Sequence, residues 1–318
     1  MKSSDYFGLI DAMSDKMKGN LLLLLTAIFW GSGFISQKLG NEAMPPMTFN
    51  ALRQLMAGIV LAPIVAGNMA KSGYLSADSN TEEEIKLKKK RVMIGGVLCG
   101  ILLLLGTATQ QIGLLTVSAG KSGFITSLYI VIVPFISVLF GEKVGKKSVF
   151  CVAVAMIGFA IMSLKGGLGG ATIGDWLTLI SATSFAAQIV VVSLYVDEGN
   201  ALKLAQMQFL SCGIIGLVIA LITEQPALAA VVAGAGPLIY QTLVPTAGGY
   251  TLQMVGQKYA ESTTAALLMS TEAIFAAIFG SLILREAMSA RELIGAAIIF
   301  AAIIAAQVDL PMHASKQK

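Results

Sequence analysis

The chain contains a weak internal duplication of membrane-length hydrophobic segments. The stretch that begins at Gly19 is repeated from Gly174, at a constant offset of 155 positions. A second stretch repeats at an offset of 144 positions. The paired positions include Gly19/Gly174, Trp30/Phe185, Leu55/Leu210, Gly58/Gly213, Ser127/Thr271 and Glu142/Glu286. If each copy contains five membrane spans, an odd number, the second copy enters the membrane in the opposite orientation.

The composition predicts that the duplicated segments lie in a bilayer. Hydrophobic residues make up 56% of the 318 residues and charged residues only 13%, whereas soluble domains average about 25% charged residues. Apolar runs of about twenty residues are long enough to cross the hydrocarbon core. Ten such runs can be drawn, at residues 20–38, 46–67, 92–111, 118–140, 148–164, 174–195, 202–223, 236–255, 263–284 and 290–308. Since lipid offers no hydrogen-bond partners to the backbone, we expect an all-α integral membrane protein with ten transmembrane helices in two inverted five-helix repeats.

The charged residues predict the orientation and the division of the chain. We expect a cytoplasmic N-terminal segment (1–19), a first repeat (20–164) with a cytoplasmic loop (68–91), a second repeat (174–308) and a cytoplasmic tail (309–318). Of the 22 Lys and Arg residues, 16 fall in segments assigned to the cytoplasm and three in segments assigned to the opposite side. This asymmetry predicts a multi-pass protein of the bacterial inner membrane with both termini in the cytoplasm. The net charge of +4 therefore indicates orientation, and no nucleic-acid partner is expected.

Glu272 is the only acidic residue in the middle of a predicted span. An ionised carboxylate at a helix centre costs about 2.5–3.5 kcal/mol on insertion scales, and intramembrane acids often belong to proton relays or binding sites. Two interpretations stay open. Glu272 is either a proton-coupling group or a protonated carboxyl that bonds a neighbouring helix and fixes packing.

Three basic residues, Lys38, Arg53 and Lys121, fall toward the outer ends of first-repeat spans in the predicted topology. Together they could form a positive vestibule that attracts substrate carboxylates. Alternatively, each side chain snorkels to the interface, an interpretation that suits Lys38 best, whereas Arg53 and Lys121 could each bind substrate or form an ion pair.

Further polar side chains within or near the spans are candidates for the substrate pathway. Trp30 lies halfway through the first span, where its indole can either stack on a ligand or pack in the core. The other candidates are Gln110, Tyr129, Gln188, Tyr240 and Gln253. Hydrogen bonds between helices are the alternative explanation for each of them. Pro134 and Pro245 either bend helices beside a pathway or reflect the general frequency of proline in membrane helices.

Short motifs in these spans resemble those of the drug/metabolite transporter superfamily, specifically its EamA-type ten-span members. The motifs are residues 30–38 (WGSGFISQK), 45–53 (PPMTFNALR), 118–134 (SAGKSGFITSLYIVIVP) and 270–273 (STEA) with Glu286 and Gly295. The resemblance implies two inverted five-helix repeats and export of small metabolites, often amino acids or related amines and carboxylates. Ala273 departs from the proline that many relatives carry there.

The function that these features favour is secondary active transport by alternating access, with a small-molecule substrate; coupling to protons through Glu272 is one of the two open interpretations of that residue. No P-loop of the form GxxxxGK[ST] is present in the sequence, and we expect no cofactor, no metal site and no enzymatic activity. Two alternatives are a passive facilitator or channel of the same fold and a membrane-embedded enzyme. The sequence leaves the oligomeric state open, a homodimer included.

Overall fold

A computed structural model describes residues 14–72, 81–140, 145–163, 171–196, 200–260 and 262–307. Every regular element in these ranges is a helix. The predicted tail (309–318), most of the predicted N-terminal segment (1–19) and the middle of the predicted loop (68–91) lie outside the described residues. The two flanks of that loop are helical, since one helix runs to Ser72 and the next begins at Glu82.

The helices of the first half, in chain order, are α1 (Asp15–Ala43), α2 (Pro46–Ser72), α3 (Glu82–Gly113), α4 (Ala119–Thr126), α5 (Tyr129–Ser137) and α6 (Lys146–Ser163). A 3₁₀ turn, Val138–Phe140, follows α5. The helices of the second half are α7 (Ile173–Tyr195), α8 (Ala201–Thr223), α9 (Leu228–Ala233), α10 (Ala235–Gln241), α11 (Thr242–Tyr250), α12 (Thr251–Gln257), α13 (Ser262–Ser270), α14 (Glu272–Ile283) and α15 (Ala290–Gln307). Among these, α11 is a π-helix.

Seven helical segments of the described chain are long and apolar enough to cross a membrane. They are α1, α2, α3, α4 with α5, α7, α8 and α13 with α14. The prediction of an all-α membrane protein is therefore confirmed. The remaining predicted spans coincide with the shorter helices α6 and α15 and with the interrupted run α10–α12, so the count of ten transmembrane helices stays a prediction.

Side-chain caps fix where several helices begin. Thr81 and Glu84 form a reciprocal capping box at α3, and Thr172 and Asp175 form another at α7. The Ser118 hydroxyl accepts a hydrogen bond from the Lys121 backbone nitrogen at the start of α4. Each cap supplies a partner for backbone donors that the first helical turn leaves unbonded.

The contact between α2 and α8 is reciprocal. A Cβ atom placed on Gly58 would lie 2.7 Å from Leu210 Cδ2, and one placed on Gly213 would lie 2.6 Å from Leu55 Cγ. These four residues are the matched pairs Leu55/Leu210 and Gly58/Gly213 of the duplication. Each copy thus presents the same surface to the other, as in an interface around a two-fold axis.

A second pair of contacts also relates the two copies of the duplication. A Cβ atom on Gly249 would lie 2.7 Å from the Trp30 indole nitrogen, and one on Gly106 would lie 2.6 Å from Phe185 Cε1. Trp30 and Phe185 are a matched pair, and the two glycines are 143 positions apart, one position short of the second offset. The packing of α1 on α11 therefore corresponds to the packing of α7 on α3.

Two helices are broken at equivalent places. The break between α4 and α5 includes Ser127, and the break between α13 and α14 is at Thr271, its partner in the duplication. Both hydroxyls donate a hydrogen bond of 2.7 Å to the carbonyl oxygen three residues earlier. Tight i→i+3 backbone bonds surround each break, a geometry that often marks a hinge within a helix.

Candidate functional site

A small cavity of about 30 Å³ lies between helices of both halves. Its walls come from α1, α2, α3, α5, α7, α10, α11 and α14. The lining residues are Trp30, Phe34, Gln37, Arg53, Gln110, Tyr129, Phe185, Gln188, Ile189, Gln241, Pro245, Tyr250 and Glu272. This central cavity is the candidate functional site.

Most of the predicted pathway residues meet in the central cavity. Those that line it are Trp30, Arg53, Gln110, Tyr129, Gln188 and Glu272. Gln253 lies directly behind the wall, where its amide nitrogen donates to the Gln188 side-chain oxygen at 3.0 Å. The geometry brings these residues together, and their roles in transport stay predictions.

Two predicted residues lie elsewhere. Tyr240 is 42% exposed, and its hydroxyl donates to the Ser32 hydroxyl at 2.8 Å. Lys121 points away from the cavity and forms an ion pair with Asp175, with 2.7 Å between Lys121 Nζ and Asp175 Oδ1. Neither side chain is among those that line the cavity.

The predicted positive vestibule is wrong for two of its three members. Lys38 forms an ion pair with Glu286 and also donates to the Val117 carbonyl oxygen at 3.3 Å. Since Lys38 and Lys121 each have a carboxylate partner, neither offers an uncompensated charge. The Lys38 ammonium group binds protein atoms at this end of the bundle, and the snorkelling interpretation stays a prediction.

Arg53 is the basic side chain that remains at the site. It is 2% exposed, and its Nε and Nη2 atoms donate to Asn50 Oδ1 at 3.0 and 2.9 Å. The Gln241 amide is satisfied when its oxygen faces Arg53 Nη1 and its nitrogen faces Ser36 and the Gly33 carbonyl. Among the described residues, no carboxylate forms a salt bridge with Arg53. The guanidinium also lies over the Phe49 ring, 5.9 Å from its centroid. A buried cation that has only uncharged partners favours an anionic ligand.

Several polar atoms of the cavity wall lack a hydrogen-bond partner in the described part of the chain. They are the Trp30 indole nitrogen, the Gln37 amide oxygen, the Tyr129 hydroxyl and one carboxyl oxygen of Glu272. Glu272 is 3% exposed and is the first residue of α14, immediately after the break at Thr271. Since buried polar groups are nearly always bonded, these donors and acceptors are suited to a polar ligand or to water.

Aromatic side chains form one wall of the cavity. The rings of Trp30 and Tyr250 have centroids 4.7 Å apart and are tilted by 52°. Tyr250 also meets Phe209 edge-on, with centroids 6.1 Å apart. Trp30 therefore packs against its neighbours, and its indole nitrogen is buried without a hydrogen-bond partner among the described residues.

Sequence reasoning did not single out Phe34, Gln37, Ile189, Gln241 or Tyr250 as site residues. Helical spacing could have found Phe34 and Gln37, because they lie four and seven positions after Trp30 on α1 and share its face. Ile189 likewise follows Gln188 and Phe185 on one face of α7. Gln241 and Tyr250 flank and end the π-helix, where ordinary helical spacing does not hold.

No group of three or more His, Cys, Asp or Glu residues able to hold a metal ion occurs among the described residues. Cys99, Cys151 and Cys212 are buried free thiols, as expected for side chains inside helical spans.

Comparison with known proteins gives a match over most of the chain. A statistical model of the EamA-like transporter family matches residues 17–164 and again residues 172–306. A solved crystal structure superposes with a TM-score of 0.62 and covers 91% of this chain and 96% of its own, at 16% sequence identity. That likeness shows a shared fold.

Relatives in curated collections are named as transporters. An uncharacterized transporter of Archaeoglobus fulgidus is 30% identical over 295 residues, which cover 91% of this chain and 85% of the relative. The uncharacterized inner membrane transporter YedA of Escherichia coli is 27% identical over 165 residues, about half of each chain. An uncharacterized transporter of Clostridium kluyveri is 23% identical and covers 87% of this chain and 89% of its own.

Proposed function

Because the chain belongs to the EamA-like transporter family, we propose that it is a secondary active transporter that exports small organic metabolites by alternating access. The substrates are amino acids or related amines and carboxylates. We place the protein in the bacterial inner membrane with both termini in the cytoplasm.

One observation carries this proposal: the central cavity combines a buried arginine and a buried glutamate from different halves of the chain. Arg53 lies on α2 and Glu272 on α14, and both line the cavity. A guanidinium group binds carboxylates through paired, charge-assisted hydrogen bonds. The unbonded atoms of Trp30, Gln37 and Tyr129 add donors and an acceptor around the same space. A small molecule with both charged and polar groups would satisfy them together.

The reciprocal packing of the two halves supports the alternating-access mechanism. Gly58 of the first copy contacts Leu210 of the second, and the equivalent Gly213 contacts the equivalent Leu55. Each copy therefore makes the same contact with the other. In carriers built from inverted repeats, exchange of such equivalent contacts converts one open state into the other around a fixed central site. The breaks at Ser127 and Thr271 give both copies a hinge at the level of that site.

Glu272 is the proposed proton-coupling residue. It has an unbonded carboxyl oxygen in the cavity wall. Tyr129 lines the same cavity and follows Leu128, the first-repeat equivalent of Glu272. Intramembrane carboxylic acids that face a cavity are typical of proton relays.

Counterflow in proteoliposomes tests the proposal. Purified protein is first screened by thermal shift against amino acids, amines, nucleosides and carboxylates, and the compounds that raise its melting temperature are then loaded inside vesicles. A carrier accumulates labelled substrate transiently against its unlabelled counterpart. A passive channel shows no trans-stimulation, and an enzyme releases a chemically altered product. Absence of both binding and counterflow across the panel would refute the proposed function.

A second experiment tests the topology. Reporter tags that fluoresce only in the cytoplasm, fused separately to each terminus, should both give signal. Signal from only one end would contradict an even number of spans, and with it the arrangement of two five-helix repeats.

A further inference from the structure

Two ion pairs join the halves of the chain at the end of the bundle where α4 begins. Lys121 on α4 pairs with Asp175 on α7, and their side chains are 12% and 0% exposed. Lys38 on α1 pairs with Glu286, which follows α14. Each pair links a first-half helix to a second-half segment, so separating the halves at this end requires breaking both.

The same end is tied together by further polar contacts. Glu286 Oε2 accepts a hydrogen bond from the Ala119 backbone nitrogen at 2.7 Å, and the Lys38 ammonium donates to the Val117 carbonyl oxygen. Phe34 lies one helical turn before Lys38 and is 1% exposed. It packs against Ala119 and Leu114 while also lining the central cavity. Phe34 therefore closes the cavity directly beneath these contacts.

The opposite end of the cavity is closed differently. A second cavity, of about 460 Å³, opens among α5, α7, α12 and α13 and includes Ser137, Ser193, Gln257 and Ser262 in its lining. A chain of neutral hydrogen bonds connects the two cavities. The Gln253 amide nitrogen donates to Gln188 at 3.0 Å and to Gln257 at 2.8 Å, and the Gln257 amide nitrogen donates to the Ser193 hydroxyl at 2.9 Å.

Building on the proposed function, we propose that Gln253, Gln257 and Ser193 line the cytoplasmic half of the substrate route, while the two ion pairs close the outer half. Hydrogen bonds between neutral amide groups can be replaced by hydrogen bonds to water at little net cost in free energy. Breaking the buried Lys121–Asp175 pair leaves an uncompensated charge and is far more costly, whereas the Lys38–Glu286 side chains are 24% and 20% exposed and their pair adds less. In this conformation the cavity therefore opens toward the Ser193 end first. Side-chain amides also offer hydrogen-bond donors to a carboxylate and acceptors to an ammonium group. They can therefore bind a charged metabolite as it moves between the two cavities.

Cysteine accessibility tests both halves of the route. In a background with Cys99, Cys151 and Cys212 replaced by alanine, Ser193→Cys and Phe34→Cys are treated with a membrane-impermeant maleimide from each face of oriented vesicles. Ser193→Cys should react only from the cytoplasmic face. Phe34→Cys should be protected from the outer face while the ion pairs are intact.

Neutralising one ion pair should open the outer half. Lys121→Gln should increase the labelling rate of Phe34→Cys from the outer face at least tenfold, while leaving the Asp175 cap on Thr172 in place. Lys121→Arg, which retains the charge, should preserve protection. Lys86→Gln is the matched control, because it breaks an ion pair with Glu82 whose side chains are 74% and 87% exposed, and it should change nothing.

Two results would overturn the assignment. One is labelling of Ser193→Cys from the outer face, or from neither face. The other is labelling of Phe34→Cys that is the same with Lys121→Gln and Lys86→Gln. Because these readouts measure access rather than transport, failure of counterflow would refute the proposed function without changing them, and failed labelling would refute the route alone.

Discussion

Adding one methyl group at each of two equivalent glycines tests the reciprocal α2–α8 interface. A Cβ atom on Gly213 would lie 2.6 Å from Leu55 Cγ and 2.7 Å from its backbone nitrogen. A Cβ atom on Gly58 would lie 2.7 Å from Leu210 Cδ2 and 3.4 Å from its backbone nitrogen. The Leu210 side-chain end can rotate away, whereas the Leu55 backbone can move only if the helices separate. We therefore expect Gly213→Ala to be the more harmful change.

The expected difference follows from two opposing contributions. Overpacking a close contact costs typically about 1–3 kcal/mol, while replacing glycine by alanine in a helix recovers up to about 1 kcal/mol. At Gly58, rotation of the Leu210 side chain keeps the overpacking cost at the low end of this range, so the net change in unfolding free energy is near zero. At Gly213 the backbone obstacle puts the cost at the high end, so the net loss is roughly 2 kcal/mol.

Thermal unfolding of the purified variants in one detergent, followed by intrinsic fluorescence, measures the ranking. Gly213→Ala should lower the melting temperature clearly, and Gly58→Ala should leave it nearly unchanged. Combining Gly213→Ala with Leu55→Ala should give no full rescue, because the backbone nitrogen of residue 55 remains. Equal losses, a reversed order or full rescue by Leu55→Ala would refute the argument from backbone contact.

Other predictions concern the cavity. Glu272→Gln should abolish proton-driven transport while counterflow persists, since counterflow needs no net proton movement; retained proton-driven accumulation would remove the coupling role. Arg53→Gln should raise KM for carboxylate substrates about 10- to 150-fold, because about 1.5–3 kcal/mol of charge-assisted hydrogen bonding is lost. The KM of Arg53→Lys should lie between those of Arg53→Gln and the native protein. An unchanged KM would exclude carboxylate binding by Arg53. Gly249→Ala should displace the Trp30 indole, which lies 2.7 Å from the added Cβ, and shift tryptophan fluorescence; an unaltered spectrum would contradict this contact.

The sequence was sufficient for the helical membrane class and for the cavity residues that are rare inside a bilayer. Glu272, Arg53 and Trp30 stood out because charged residues and tryptophan are unusual at those depths. Tyr240 does not line the central cavity, and its place in the pathway stays a prediction. The lipid-facing and packed faces of a membrane helix are both apolar, so hydrophobic periodicity does not fix which way it is rotated. The neighbouring residue, Gln241, faces the cavity instead.

The ion-pair partners of Lys38 and Lys121 could not be predicted from individual hydrophobic segments either. Lys121 and Asp175 are far apart in the sequence, and Lys38 and Glu286 are farther still. Their pairing depends on how the halves pack. Without that packing, three basic residues at one end of the bundle indicated a positive vestibule, whereas two of them are compensated and form part of a closed end.

Reciprocal contacts and equivalent helix breaks relate the two copies of the duplication, but the residues at those breaks differ. The breaks at Ser127 and Thr271 are equivalent and have matching hydroxyl bonds, yet the next residues are Leu128 and Glu272. When the two copies can exchange equivalent contacts, the two resulting conformations are expected to have similar free energies. Glu272 is then the one carboxylic acid among the described residues that line the central cavity. If Glu272 faces each side of the membrane in turn, it can carry one proton per cycle, whereas an acid on both copies would bring two like charges together in the same cavity.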